Sequence, residues 1–212
     1  MELDKSKESI SVMFDNIAGK YDFLNHIFTA NLDKIWRRKI IDYISSNSIK
    51  SQQLVDLASG TGDMTKELLR LNPQKIYSFD ISPKMLDIQR KKITDERVLI
   101  MVAESENMPL ESESIDLVTI AFGVRNFENI EKSLKEIYRI LRPNGMVIIL
   151  EMFTPEKQNP LFKYYFTKVM PKFGRIISRS NTAYSYLHNS VMNFKTVKEF
   201  LEVCSKNGFV LE

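Results

Sequence analysis

Asp56-Leu57-Ala58-Ser59-Gly60-Thr61-Gly62 sets an acid at the end of a short apolar run and two glycines in the turn that follows. Glycine in such a turn takes positive φ freely and leaves no side chain to collide with a ligand lying along the backbone. Asp80 and Ile81 close a second apolar run, 24 residues beyond Asp56, where a carboxylate can accept hydrogen bonds from both hydroxyls of a ribose. Glu104 and Ser105 follow a third run, and Ala121-Phe122 ends a fourth. The constellation suits a ligand that carries a nucleoside. It departs from the dinucleotide fingerprint, which wants a glycine at position 65, occupied here by Thr65, and another at the start of the turn. The plainer alternatives are that Asp56 only caps a turn and that Glu104 is a solvated loop acid.

The remaining reactive residue types are sparse. Cys204 is the lone cysteine, so neither an internal disulfide nor a cysteine metal cluster is expected. His26 and His188 are too far apart in sequence for a helical ligand pair, and no metal site is expected.

Four apolar runs that end in ligand-type residues need a scaffold that aligns their ends. Strands are expected at Leu54–Ala58, Ile76–Ile81, Val98–Ala103, Ile115–Ala121 and Met146–Glu151. Helices are expected at Asp63–Leu71, Pro83–Lys91 and Ile130–Leu141, the last stopped by Arg142-Pro143-Asn144-Gly145. Before them, Ser11 to Ser46 is helical in pattern, with Ile35, Ile40, Ile41 and Ile44 on a recurring face. Apolar strands alternating with helices make an α/β fold with a doubly wound, mostly parallel sheet, whose ligand crevice lies at the carboxyl edge. A chain of 212 residues fits one domain. Its expected parts are a helical cap over 1–50, an α/β core over 51–151, a helical insertion over 152–194, and a C-terminal helix with the start of a strand over 195–212.

The mixed acids and lysines of Met1 to Ser11 do not resemble a secretory signal. No apolar run approaches the roughly 20 residues that span a bilayer. A cytoplasmic protein is therefore expected, with an option of peripheral contact with the membrane. Net charge is only +3, but Met152 to Phe194 holds six Lys/Arg against Glu156, together with nine aromatics. That stretch suits an anionic surface, or else packs inward as an ordinary cap.

Lys20-Tyr21-Asp22-Phe23-Leu24-Asn25 with Trp36, Phe122-Gly123-Val124-Arg125-Asn126-Phe127, and Arg139-Ile140-Leu141-Arg142-Pro143-Asn144-Gly145 running into Glu151 carry a resemblance. They resemble the signatures of the ubiquinone and menaquinone biosynthesis C-methyltransferases, and the likeness runs from about Phe14 to Phe209. The first turn likewise resembles the acid-x-Gly-x-Gly-x-Gly motif of class I methyltransferases, with Ala58 in place of the first glycine. Departures are Asp33 for a histidine, Asn144 for a glycine, Phe153 for a serine and His188 for a proline. The family normally continues past the position of Glu212 into a last antiparallel strand.

The resemblance implies a class I methyltransferase fold, S-adenosylmethionine as cofactor and a polyprenyl quinol as substrate. The turn at Gly60-Thr61-Gly62 would hold the methionyl part, Asp80 the ribose, and Glu104 and Ser105 the adenine, with Ala121 beside the sulfonium. Demethylmenaquinol is the favoured substrate, a methoxy polyprenyl benzoquinol the alternative. An RNA methyltransferase and a non-catalytic binding module are the more distant readings. No nucleic-acid partner is expected, and a homodimer is left open. Arg125 would stabilise the developing quinolate, its permanent charge and planar fork suiting an oxyanion better than a proton. Asn126 would orient the hydroxyl or a water, and Tyr21 would close the pocket. The alternative for Arg125 is a surface ion pair with Glu128 or Glu131, and His188 reads as structural more readily than as catalytic.

Overall fold

The computed structural model describes residues 4–29, 31–155, 186 and 189–212. Five strands form one parallel sheet: β1 (Gln53–Leu57), β2 (Lys75–Asp80), β3 (Val98–Val102), β4 (Ile115–Ala121) and β5 (Leu141–Leu150), in the order β3-β2-β1-β4-β5. β1 and β4 are buried along almost their whole length, as their unbroken apolar runs require when helices cover both faces. The chain passes from β1 to β2 on one side and reaches β4 on the other. That reversal opens a crevice at the carboxyl ends of β1 and β4.

Helices α1 (Lys7–Phe28), α2 (Leu32–Ser46), α3 (Asp63–Leu68), α4 (Pro83–Lys92) and α5 (Ile130–Ile140) surround the sheet. Ser82 caps α4 by accepting from Met85 N, with Pro83 in the first turn, and Asn129 caps α5 through Lys132 N. Ile41 and Ile44 of α2 join Leu54, Met64, Leu68, Ile76 and Leu117 in the core. At the opposite edge of the sheet from the crevice, Asp116 accepts from Gln52 N, Gln53 N and Arg142 Nη1. Burial works to raise this carboxyl, but those donors and Lys50 hold it below its usual range.

Several boundaries differ from expectation. The helical start is two helices, because Asn31 adopts a left-handed conformation (φ 61°) and separates α1 from α2. α3 is shorter than expected and passes into a 3-10 turn at Leu69–Leu71. The Arg142–Gly145 stop lies within β5, where the register jumps from Leu141 to Met146 opposite Ile115 and Leu117.

Residues 5–151 form one compact unit, and the described residues from Met152 onward belong to a second. Within that second unit Thr154 Oγ1 donates to Val191 O and Phe194 O, both at 2.8 Å. Phe153 sits 5.6 Å and 5.4 Å, ring to ring, from Phe194 and Phe200. Those two rings give the phenylalanine at 153 an apolar partner set that a serine would waste. Helix α6 (Val197–Lys206) opens with a capping box between Thr196 and Glu199. Burial pushes the Cys204 thiol on this helix up to about 11, which makes it a poor nucleophile. The start of a strand expected after α6 is not seen among the described residues, where 209–212 carry no regular secondary structure. Most of the 152–194 insertion lies outside the described residues, His188 included.

Candidate active site

The turn leaving β1 has three left-handed residues in five: Ala58 (φ 55°), Gly60 (φ 56°) and Gly62 (φ 89°). At Gly62 a Cβ would stand 2.6 Å from Gln89 Cγ and 2.9 Å from Ile93 Cδ1, so the missing side chain lets the turn seat against α4. At Gly60 a Cβ would meet nothing nearer than the Tyr21 ring at 4.0 Å. There the glycine serves the backbone angle and leaves a bare peptide facing the crevice.

A buried polar network supports this turn from below. Thr65 Oγ1 donates to Asp56 Oδ2 at 2.5 Å, and Thr119 Oγ1 to Asp56 Oδ1 at 3.2 Å. Gln89 Nε2 donates to Thr65 Oγ1 and Ser78 Oγ, and Ser59 Oγ donates to Gln89 Oε1 at 3.1 Å. Asp80 then ties two turns together, one carboxylate oxygen accepting from Gly60 N and the other from Ser82 N, each at 2.8 Å. Burial pushes the Asp80 carboxyl up, against the pull of those same amides.

Helix α1 roofs the crevice and is fastened to three of the turns it crosses. Lys7 Nζ meets Glu104 Oε2 at 2.5 Å, and Ser11 Oγ donates to Ile81 O at 3.0 Å. Asp15 accepts from Ser82 Oγ at 2.5 Å and from Lys84 N at 3.1 Å. Asp22 accepts from Thr61 Oγ1 and Lys92 Nζ. Beneath the helix lies a cleft that encloses about 720 Å³ with its open solvent included. Gly60, Asp80, Ile81, Glu104, Ser105, Ala121, Asn126 and Tyr21 all line it, which brings most of the expected ligand residues to one place.

Four others of the expected residues, Asp56, Thr61, Gly62 and Arg125, lie outside that lining. Asp56 is consumed by the two threonines, Thr61 faces Asp22 on α1, and Gly62 faces α4. Arg125 sits in a 3-10 turn (Val124–Asn126) after Phe122, itself left-handed at φ 61°. Its Nη1 donates to Phe122 O at 2.9 Å and to the Glu151 carboxylate, and both side chains are buried. The alternative partners Glu128 and Glu131 are thus replaced by Glu151, which the β4–β5 pairing brings alongside. Gly123 of the same segment has no room for a side chain, since its Cβ would lie 2.4 Å from Ala58 Cβ.

The roof also gathers residues for which the sequence carried no local signal: Lys7, Phe14 and Asp15 on α1, and Gln89 below the turn. Asp33, where the resemblance led to a histidine, is buried, with His26 Nδ1 at 2.9 Å and Arg37 Nη1 at 2.5 Å. Burial raises the Asp33 carboxyl, and Thr29, Arg37 and His26 together bring it below its usual range. His26, Asp33 and Asp63 present ligand-type atoms within 4.8 Å of one another. Arg37 and Lys92 already neutralise those carboxylates, so the cluster is accounted for as an ion-pair network.

The model of the ubiE/COQ5 methyltransferase family matches residues 1–211. The chain is 35% identical over 212 residues to a demethylmenaquinone methyltransferase of Bacteroides fragilis, covering 97% of this chain and 86% of that protein. It is 36% identical over 216 residues to the ubiquinone/menaquinone biosynthesis C-methyltransferase UbiE of Geotalea daltonii, covering 98% and 91%. Among solved structures, a putative S-adenosyl-L-methionine-dependent methyltransferase of Methanococcus maripaludis shares the fold (TM-score 0.63, 21% identity), covering all of this chain and 88% of that one.

The charge of Asp56 gives a test of the supporting network. Burial, opposed by Thr65 and Thr119, raises its carboxyl from 3.8 to about 7. Above pH 4 the unfolded chain has released a proton that the folded chain still holds, so this group's contribution to stability falls as pH rises through about 7. Denaturant midpoints of the wild type and Asp56→Asn, measured between pH 4.5 and 8.5, should show the wild type losing ground relative to the variant across that window. A difference independent of pH would mean that Asp56 is ionised throughout.

Proposed function

The chain belongs to the ubiE/COQ5 methyltransferase family, and from that premise we propose that it methylates a ring carbon of a polyprenyl quinol, demethylmenaquinol in preference to a methoxy benzoquinol. The observation that carries the reading is the cleft itself, lined by a bare glycine peptide, a carboxylate held by two backbone amides, Asn126 and Tyr21.

These residues fit S-adenosylmethionine. Asp80 has lone pairs left beyond the two it gives to Gly60 and Ser82, enough to accept both ribose hydroxyls. The turn at Gly60 would carry the methionyl part and Glu104 with Ser105 the adenine edge, while Ala121 and Phe122 close the strand ends beside the reacting methyl. Bound there, the cofactor supplies an electrophilic methyl group on a sulfonium.

The chain's own work is on the quinol. Loss of a phenolic proton pushes electron density onto ring carbons ortho and para to the oxygen, and the site must hold that oxyanion and aim the carbon in line. Asn126 lies on the cleft wall, where its amide can orient the hydroxyl or a water. Burial raises the Tyr21 phenol, against Arg125 and Arg37, so it serves as a neutral hydrogen-bonding group and not as a base. Arg125 acts from behind this wall. Its pairing with Glu151 fixes the turn that presents Asn126, and its charge reaches the phenol in the cleft. A water, or another side chain, accepts the proton.

The substrate's isoprenoid tail stays in a bilayer, so the protein must visit one. Among the described residues no helix is long and apolar enough to cross a membrane. The basic, aromatic 152–194 stretch was expected to make this contact and lies mostly outside the described residues. A second surface supports the same contact: Leu32, Ile35, Lys39 and Tyr43 recur at helical spacing on the exposed side of α2, beside exposed Lys34 and Arg38.

Two experiments follow. With purified protein, Asp80→Ala should weaken cofactor binding by about 1–3 kcal/mol, whereas Arg125→Ala should lower turnover on demethylmenaquinol far more than it lowers cofactor affinity. Unchanged affinity in the first variant, or near-normal turnover in the second, would overturn the role given to that residue. Flotation with liposomes should show association with anionic vesicles at low salt that is lost at high salt. No association even with quinol-loaded anionic vesicles would mean that the tail is extracted another way.

A further inference from the structure

Among the described residues Phe122 is the one aromatic with a left-handed backbone, at φ 61°. Asparagine visits that region readily, but a bulky side chain rarely does. Such a residue keeps its conformation only where its surroundings over-determine it, and places of that kind cluster at functional sites. Phe122 directly follows β4, is 3% exposed, and lines the cleft together with Gly123 and Asn126.

It is held from two sides. Along the chain, Phe122 N donates to Leu150 O at 2.7 Å, and Phe122 O accepts from Arg125 Nη1 at 2.9 Å in the turn that ends at Asn126. From α2 come two consecutive residues. The Trp36 ring lies 6.3 Å from the Phe122 ring, centre to centre, inclined at 51°. The Arg37 guanidinium lies over the same ring, 5.5 Å from its centre. Both separations are attractive for an aromatic face. Helix α2 is itself fixed, with Ile41 and Ile44 in the core against the sheet. Neither Trp36 nor Arg37 is among the residues lining the cleft, so they reach the reaction only through what they hold.

We propose that Trp36 is a positioning residue for methyl transfer: with Arg37 beside it, it clamps the Phe122 ring, keeps that backbone left-handed and so fixes the turn that presents Asn126 to the quinol. This rests on the quinol reading above and adds a support that stands outside the cleft. Alignment of ring carbon, methyl and sulfur depends on distances finer than an ångström, so a slackened turn costs rate without removing any contact to the cofactor.

The test is a double-mutant cycle on turnover of demethylmenaquinol. Trp36→Leu should lower kcat roughly ten- to hundredfold and leave the calorimetric affinity for S-adenosylhomocysteine within about twofold. Trp36→Phe, which keeps a ring, should recover most of the loss. In a Phe122→Gly background, where the ring is gone and the backbone angle is free, the same Trp36→Leu step should change kcat by no more than about twofold. Trp36 is the sole tryptophan of the chain, so its emission maximum reports the contact without turnover, and it should move in Phe122→Gly. Equal effects of Trp36→Leu in the two backgrounds, a parallel loss of S-adenosylhomocysteine affinity, an unchanged kcat or an unmoved emission would each overturn the proposal. A folded wild type that binds S-adenosylhomocysteine and does not methylate the quinol would overturn the quinol reading, and the proposal with it. Circular dichroism checks folding, and if Trp36→Leu does not fold, Trp36→Met carries the cycle.

Discussion

A turn with three left-handed residues in five cannot hold its shape alone when one of them is alanine, because Ala58 there costs about 1–2 kcal/mol against an ordinary conformation. The site depends on what holds that turn. Asp56, Thr65, Ser78, Gln89 and Thr119 are all fully buried and hydrogen-bonded to one another, and Ser59 hangs from the same group. Such a network stabilises one geometry only while every member is satisfied. It draws on β1, β2, β4, α3 and α4 at once, so the backbone facing the ligand is positioned by the whole sheet.

The roof is built on a different principle. Helix α1 buries Ile10, Ala18 and Leu24, and its links to the strand-end turns include exposed or half-exposed ion pairs, Lys7 to Glu104 and Asp22 to Lys92 among them. Pairs of that kind contribute little each. Exposed links of this kind break and re-form at little cost, which suits a cofactor that must be exchanged at every turnover. Glu104 illustrates the compromise, since it lines the cleft and at the same time receives the roof's Lys7.

Most of the scaffold was legible because buried parallel strands are continuous apolar runs, and each run ended where a ligand-type residue began. Asp80 could be found for the same reason, as a carboxylate at a strand end. Other features depend on contacts that sequence spacing does not encode. Arg125 was weighed against acids near it in the chain, yet its partner is Glu151, delivered by the pairing of Ala121 with Leu150. The break between α1 and α2 has neither proline nor glycine to announce it and rests on the left-handed Asn31. Asp56 was read as a ligand-facing acid because it precedes the glycines; the threonines that claim it come from α3 and from β4, 9 and 63 residues away.

The central claim is that this cleft moves a methyl group from sulfur to a ring carbon of a quinol. Purified protein, reduced demethylmenaquinol and S-adenosylmethionine carrying a trideuterated methyl, analysed by mass spectrometry with fragmentation, test it most directly. The account predicts a menaquinol carrying the whole trideuteromethyl group on the ring carbon that lacked a substituent. Label on a quinol oxygen, or no transfer by a folded protein that binds both compounds, would contradict it.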